Sequence, residues 1–173
     1  ESLWQGMQFQ SIASCLQRWV NHVRSNEQAD FVVGLFHSGY TGGIADTRYP
    51  ENEVKVVAQQ TMGIDIILFG HDHQQKQEVV GHADGSSTLL LNPSSNAHLM
   101  AELTLNLQIT SEEVQKIDCK GELVSLEKQP IDDVFMQHFA ADKQQVEDYT
   151  QQIVGRTAYT LRTRDSFFCS SRF

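Results

Sequence analysis

Two short apolar runs, each followed by a histidine, constrain this chain more than any other feature of its sequence. Residues 31–36 read Phe-Val-Val-Gly-Leu-Phe and stop at His37, while a second run over 64–70 stops at His71. Runs of this length without polar alternation are typical of strands that are covered on both faces. We therefore predict two buried strands, each with a histidine just past its carboxyl end.

A loop and a helix separate the two predicted strands. Residues 38–50 contain three glycines and a proline and predict a loop. Residues 51–62 have helical spacing, and Gly63 follows in the position that favours a C-cap. The inward positions of this helix are Val54, Val57 and Ala58. A strand, a crossover helix and a second strand form the unit of a parallel sheet, so both histidines should reach the same rim.

An amphipathic helix precedes the first strand, and a β-rich segment follows the second. Period two over 77–81 and 88–92 predicts a hairpin, and the alternation over 99–109 predicts a long strand with one buried face. Residues 114–126, with Lys120-Gly121 as a turn, predict either another hairpin or the return strand. The helix covers about 9–26, since apolar side chains recur there at offsets of three and four: Phe9, Ile12, Ala13, Leu16, Trp19, Val20 and Val23.

The end of the chain again has helical periodicity. Apolar residues from Ile131 to Ile153 predict one long helix, and Asp132 and Asp133 in its first turn complement the helix dipole. Residues 156–173 form a polar and aromatic tail to which no element is assigned.

Bulk properties narrow the classes of function. The 173 residues are enough for one compact domain, and the formal charge of −9 without a basic stripe argues against binding of extended nucleic acid. A small phosphorylated ligand is still allowed, because a metal ion can supply positive charge. No apolar run of about 18 residues is present, so no membrane span is expected. The first residues do not have the pattern of a signal peptide, and the chain begins with Glu1 rather than Met, so we expect an upstream portion.

Three histidines are the candidate metal ligands. In Gly70-His71-Asp72-His73, the two imidazoles stand at positions i and i+2, which project to the same side of an extended segment. His37 joins them from the neighbouring strand end. Three imidazoles at one rim suit zinc, manganese or iron better than calcium or magnesium. The other four histidines are expected to have no functional role: His22, His82, His98 and His138.

These motifs resemble those of a known superfamily. Phe36-His37-Ser38-Gly39 and Gly70-His71-Asp72-His73 look like the last two metal motifs of the calcineurin-like metallophosphoesterases. They are most similar to the branch of 5'-nucleotidases and 2',3'-cyclic-nucleotide 2'-phosphodiesterases, where an apolar strand, H-S-G, a helix and I-D-x-I-x-x-G-H-x-H occur in this order.

The resemblance implies a fold class. It covers residues 1–110, which we expect to be the C-terminal half of a metallophosphoesterase catalytic domain, an α/β fold that forms a four-layer α/β/β/α sandwich with a mixed sheet. Residues 111–173 are expected to contain the end of that domain, with a β-hairpin, the long helix and a tail leading toward a further domain that this chain lacks.

The resemblance also implies roles for individual residues. In a dinuclear centre of zinc, manganese or iron, His37 and His71 would ligate one ion and His73 the other. Such a pair of ions holds the phosphate and lowers the pKa of a bridging water, which attacks phosphorus. Asp72 would orient an imidazole from outside the ligand set. The implied substrate is a nucleotide or another phosphoester, with a slight preference for the cyclic phosphodiester, and the implied location of the parent protein is periplasmic or secreted.

The chain departs from the family in one important respect. The earlier motifs D-x-H, G-D-x-x-[DN] and G-N-H-[DE] do not occur in the sequence, so no catalytic residue is assigned here. We expect a full-length parent to be an enzyme and this fragment to be poorly active or inactive alone. A half-domain would also expose apolar surface, which favours self-association. The alternative interpretation is a non-catalytic metal-binding or interaction fragment.

Overall fold

The structure is a computed structural model that describes residues 5–45, 50–111, 114–156 and 158. The chain divides into two compact units, Glu1–Gln129 and Pro130–Phe173. The boundary predicted at residue 110 concerns the extent of a catalytic domain, which compactness does not decide, so it stays a prediction. Among the described helices, none has the length and apolar character needed to cross a membrane.

The elements of the first unit follow in the order helix, strands, helix, strands. They are α1 (Ile12–Ser25), β1 (Val33–Phe36), β2 (Gly42–Ala45), β3 (Pro50–Asn52), α2 (Val54–Gln60), β4 (Ile66–Phe69), β5 (Gln75–Gly81), β6 (Ser87–Pro93), β7 (Leu99–Ile109) and β8 (Val114–Ser125).

The central sheet is mixed, as predicted. Its strand order is β1-β4-β6-β5, in which β1 and β6 lie parallel to β4 while β5 lies antiparallel to β6. The two apolar runs thus form neighbouring parallel strands joined through α2, and the predicted hairpin is β5–β6. Both expectations are confirmed.

Two helices cover one face of this sheet. Val20 of α1 and the three inward residues of α2 are buried with sheet residues of the same face, and Ile12, Ala13 and Leu16 pack against them. Trp19, which belongs to the same predicted apolar face, is 55% exposed. The buried cluster consists of Val20, Val54, Val57, Ala58, Ile64, Ile67, Phe69 and Leu90.

The hairpin β7–β8 covers the opposite face. The side-chain amide of Gln77 donates to the carbonyl of Gly121 (3.0 Å), and a Cβ on that glycine would lie 2.7 Å from Leu89 Cδ2 and 2.8 Å from Leu91 Cδ1. Gly121 pairs with Leu103 inside a continuous ladder, so the turn predicted at Lys120-Gly121 is wrong and the return-strand alternative is right. The glycine is required by close packing rather than by a turn.

Three further expectations for the first unit are wrong. Residues 38–50 are not only a loop, because β2 pairs antiparallel with β3 across them. The first strand is not covered on both faces: β1 lies at the edge of the sheet, and the side chains of Val33 and Leu35 are 44% and 76% exposed. The helix predicted over 51–62 is shorter, since it begins at Val54 and its C-cap is Thr61 rather than Gly63.

The second unit contains two short helices in place of the predicted long one. They are α3 (Asp133–His138) and α4 (Ala140–Thr150), separated by Phe139 at φ −100° and ψ 10°. The side chain of Asp132 caps α3 by accepting from the backbone N–H of Phe135 (3.0 Å). The predicted tail lies outside the described residues except at positions 156 and 158. Most of the apolar stripe is exposed: Ile131, Val134, Phe135, Phe139, Val146, Tyr149 and Ile153.

One polar network links α1 to the start of the two parallel strands. The guanidinium of Arg24 donates to the carbonyls of Ala29 (2.9 Å) and Gly63 (3.0 and 3.1 Å) and pairs with the carboxylate of Asp65. That carboxylate also accepts from the backbone N–H of Val32 (2.8 Å). The planar guanidinium thus makes four hydrogen bonds to three acceptor groups, one more than the three donors of an ammonium group allow.

We predict that Arg24→Ala lowers the free energy of unfolding by about 2–4 kcal/mol, because it removes the charged partner of the half-buried Asp65 and the donors to two carbonyls. Urea denaturation followed by far-ultraviolet circular dichroism measures the change. Lys120→Ala is the control, since the Lys120–Asp118 pair is exposed and should contribute less than about 0.5 kcal/mol. Equal unfolding midpoints for the two variants would show that the Arg24 network does not stabilise the fold.

Candidate metal centre

The two histidines that follow the parallel strands meet at the rim of the sheet. The β1–β4 ladder ends with Phe36 opposite Phe69, and the N–H of Gly70 donates to the carbonyl of Phe36 (3.3 Å). Just beyond this point, Nε2 of His37 lies 3.2 Å from Nδ1 of His71, and the ring centroids are 4.9 Å apart. The topology therefore brings together two of the three predicted ligands.

The third histidine lies on the same loop in a different arrangement. His71 and His73 have positive φ values of 98° and 56°, so the loop is not extended and the i, i+2 argument does not hold there. In the described part of the chain, the imidazole of His73 makes no hydrogen bond or ring contact with that of His37 or His71. The carbonyl of His73 accepts from the hydroxyl of Ser94 (2.8 Å), which joins this loop to the segment after β6.

Asp72 anchors the histidine loop to its neighbours. Its carboxylate accepts from the backbone N–H groups of Tyr40 (2.7 Å) and Gln74 (3.2 Å) and from the side-chain amide of the buried Asn92 (2.8 Å). Within the described residues, these three groups are its hydrogen-bond partners, and none is an imidazole. Asp72, which was expected to orient an imidazole, instead holds the backbone near the histidines in place.

Ser38 and Gly39, which follow His37, also make close contacts around this loop. A Cβ on Gly39 would lie 2.6 Å from Cβ of Asp72 and 2.6 Å from the side-chain oxygen of Asn52, which accepts from the Gly39 N–H (2.8 Å). The hydroxyl of Ser38 donates to the carbonyl of Glu51 (2.9 Å) and accepts from the N–H of Glu53 (3.1 Å). These contacts seat the loop after β1 against the start of α2.

Glu51 belongs to this site, although sequence reasoning placed it in a helix. One carboxylate oxygen, Oε1, lies 2.7 Å from Nε2 of His71, and the other, Oε2, accepts from the N–H of Ile44 (2.6 Å). The Ile44 N–H and, after it, the His71 side chain lower the pKa of Glu51. The signal that marks its position is Gly43, whose φ of 81° lets the backbone close around the carboxylate, where a Cβ would collide with Oε2.

Lys55 and Lys76 contact Tyr40 and Glu78 beside the site. The hydroxyl of Tyr40 donates to the carboxylate of Glu78 (2.6 Å), and this bond, followed by the pairing with Lys76 (2.9 Å), lowers the pKa of Glu78. The ammonium groups of Lys76 and Lys55 lie 4.3 Å and 5.6 Å from the centroid of the Tyr40 ring. This cluster packs beside the site rather than supplying a cation to it.

The spacing of the two imidazoles fits a shared metal ion. Nitrogens that are each about 2.0–2.1 Å from one ion, at angles of about 90–110°, lie about 2.8–3.4 Å apart. The 3.2 Å between His37 and His71 falls within this range. Histidine ligands also usually donate their second ring N–H to a carboxylate, the position that Glu51 occupies at His71.

The donor set is nevertheless incomplete in the part of the chain that is described. No group of three or more His, Cys, Asp or Glu side chains is placed there to hold a metal ion. The pair of imidazoles therefore fits as part of a transition-metal site that needs further ligands.

Solved structures with this fold are known. The structure is similar to the calcineurin-like phosphoesterase YfkN from Bacillus subtilis, with a TM-score of 0.63 and 23% identity, over 84% of this chain and 46% of that one. It is also similar to the 5'-nucleotidase precursor from Thermus thermophilus, with a TM-score of 0.63 and 18% identity, over 85% of this chain and 29% of that one. This chain has a calcineurin-like phosphoesterase fold. The sequence itself matches no family model, and no curated protein is significantly similar to it.

The extent of the match agrees with the fold expected from the histidine motifs. The chain spans less than half of either solved structure, as expected for part of the catalytic domain. The described first unit shows helices, a mixed sheet and a β-hairpin as successive layers. The fourth layer of the expected sandwich stays a prediction.

We predict that Asp72→Asn destabilises the histidine loop. Its carboxylate accepts through both oxygens, so an amide NH₂ would face a donor, either the N–H of Tyr40 or the two donors on the other oxygen. Amide hydrogen exchange at Tyr40 or Gln74 should become at least about tenfold faster, since a lost hydrogen bond to a charged group costs about 1.5–3 kcal/mol.

Asp84→Asn is the matched control for this substitution. Asp84 also accepts in a turn, but both of its bonds, from the N–H and the hydroxyl of Ser86, use the same oxygen. An asparagine can keep that oxygen in place. If the two variants changed exchange at Tyr40 and Gln74 equally little, the anchoring role of Asp72 would be wrong.

Proposed function

We propose that this chain is part of a metal-dependent phosphoester hydrolase that acts on nucleotides, of the 2',3'-cyclic-nucleotide 2'-phosphodiesterase or 5'-nucleotidase type. The observation that carries the proposal is the approach of His37 Nε2 to His71 Nδ1 at 3.2 Å, at the carboxyl ends of adjacent parallel strands. Ligands in parallel sheets bind at this edge. Two solved structures with the same fold are described as a calcineurin-like phosphoesterase and a 5'-nucleotidase precursor, which supports the assignment.

In this proposal, His37 and His71 hold one divalent ion of zinc, manganese or iron, and His73 serves a second ion. When bound, such an ion supplies positive charge for a phosphoryl group and lowers the pKa of a bound water. The other residues of the site hold the histidines in place. Asp72 and Ser38 fix the loops that carry the histidines, and Glu51 holds the far side of the His71 ring.

The second candidate is a fragment that binds a metal ion without turnover. It is favoured by the incomplete donor set among the described residues and by the absence of the earlier family motifs from the sequence. In that case the chain alone is a poor enzyme, and a phosphoester binds to it only through the ion. Export of the parent protein, which the resemblance implies, stays a prediction.

We predict that the chain binds zinc and that His71→Ala lowers the affinity at least about tenfold, because a ligand is removed. Isothermal titration calorimetry measures the affinity. AMP should then bind to the zinc-loaded chain and not to the metal-free chain, as followed by equilibrium dialysis. Zinc-dependent hydrolysis of a 2',3'-cyclic nucleotide or of AMP, abolished in the same variant, favours the hydrolase, whereas binding of AMP without hydrolysis favours the second candidate.

His82→Ala is the control for zinc binding. Nε2 of His82 bonds the hydroxyl of Thr88 (2.9 Å), so this histidine is engaged in the turn between β5 and β6 and should not bind the ion. Unchanged zinc affinity in His71→Ala, or equal losses in both variants, would contradict the proposed centre.

We further propose that the chain self-associates through the exposed side of β1. Val33 and Leu35 are exposed on an edge strand, and such an edge presents unpaired backbone groups to another chain.

We predict that Leu35→Lys shifts the protein toward the monomer in sedimentation velocity at about 100 µM, since a charge on an edge strand opposes pairing. Val79→Lys, on the exposed face of β5, is the control. A wild-type chain that is monomeric at this concentration would contradict the proposal.

A further inference from the structure

We infer that Glu51 is a positioning residue, which fixes the proton of His71 on Nε2 and so leaves the lone pair of Nδ1 directed at His37. The inference rests on the proposed function only for the consequence that Nδ1 binds a metal ion. The proton position itself is a property of the metal-free chain. Glu51 acts through the imidazole and not on a substrate.

The contacts of His71 leave one neutral arrangement. Its Nε2 faces Oε1 of Glu51 at 2.7 Å, and a carboxylate can only accept a hydrogen bond. The ring must therefore carry hydrogen on Nε2. A neutral imidazole has one N–H, so Nδ1 is then an acceptor. That acceptor lies 3.2 Å from Nε2 of His37, which must be the donor in the metal-free protein.

Glu51 is itself held in place from the other side. Its second oxygen accepts from the N–H of Ile44 (2.6 Å), which lies in β2 between Gly42 and Ala45, the two residues paired with β3. Gly43 makes this approach possible, because any side chain there would collide with the same oxygen. The strands β2 and β3 thus serve to place the carboxylate of Glu51 against His71.

A consequence follows for His37. In the metal-free chain, Nε2 of His37 carries the hydrogen of the bond to His71. To bind an ion through Nε2, His37 must lose this proton and carry one on Nδ1 instead, so that the ring stays neutral. His71 needs no such change. Glu51 therefore prepares one of the two ligands in advance.

Glu51→Gln tests the inference with an isosteric change. A glutamine side chain has a single acceptor oxygen. If that oxygen stays on the fixed N–H of Ile44, its NH₂ faces Nε2 of His71, which must then accept. The proton of His71 should move to Nδ1, and zinc affinity should fall about 10- to 100-fold. The matched control is Glu78→Gln, which removes another hydrogen-bonded carboxylate that lies against Tyr40 and Lys76.

Long-range ¹H–¹⁵N correlation spectra of the metal-free chain at about pH 8 read the proton position directly. We expect the wild-type and Glu78→Gln proteins to have His71 protonated on Nε2, and Glu51→Gln to have it on Nδ1. A wild-type His71 protonated on Nδ1, or a Glu51→Gln protein with unchanged proton position and zinc affinity, would overturn the inference. The wild-type measurement does not depend on whether any variant folds.

The same data separate this inference from the proposed function. A wild-type chain that fails to bind zinc, but whose His71 proton moves in Glu51→Gln, would refute the metal centre and leave the positioning role of Glu51 standing. Zinc binding that depends on His71, in a chain whose His71 proton stays in place in Glu51→Gln, would do the reverse.

Discussion

The hydrogen-bonded ladder between β1 and β4 is the interaction on which the site depends. Its register pairs Val33 with Ile66 and Phe36 with Phe69, so the two strands end level with each other. One residue of a parallel strand spans about 3.3 Å. A register shift of a single residue would therefore move one histidine by as much as the whole 3.2 Å gap between the two imidazole nitrogens. The site requires this register and no other.

The loops beyond that ladder hold backbone conformations that their residues do not favour. Two histidines lie at positive φ, where a side chain with a Cβ costs roughly 1–3 kcal/mol. The hydrogen bonds of Asp72 to Tyr40, Gln74 and Asn92 offset this cost, because bonds to a charged acceptor contribute about 1.5–3 kcal/mol each. The same carboxylate therefore explains why the loop can be strained and still have one conformation.

The elements that sequence reasoning found are those whose pattern is set by burial. The second apolar run, the alternation from Leu99 to Leu105 and the inward face of α2 each reflect packing against the sheet, and each is present. Leu35, Leu107 and Ile109 continue the predicted patterns but are exposed. The wrong predictions arose where a sequence pattern typical of one structure had a different physical cause. Gly121 looked like a turn because glycine is common there, but close packing on Leu89 and Leu91 requires it. A helical stripe over 131–153 shows which residues share a face, and it does not show that the helix continues through Phe139.

The candidate site was predictable in its histidines and not in its carboxylate. His37 and His71 follow from strand ends, because topology alone brings strand ends together. The position of Glu51 depends on the pairing of β2 with β3, which have only four and three residues. These strands contain glycine and proline and so have no strand-like pattern. A three-residue strand has too few positions for alternation to be recognised.

Charge supplies the remaining argument for a metal ion in the proposed function. The imidazole pair stands beside Glu51, and Asp72 adds a second carboxylate to the same loops. The described lysines nearby, Lys55 and Lys76, are turned to Tyr40 and Glu78. A phosphoester anion approaching these residues alone would meet net repulsion, in a chain whose formal charge is −9. In the proposed function, a cation held by the histidines offsets this repulsion.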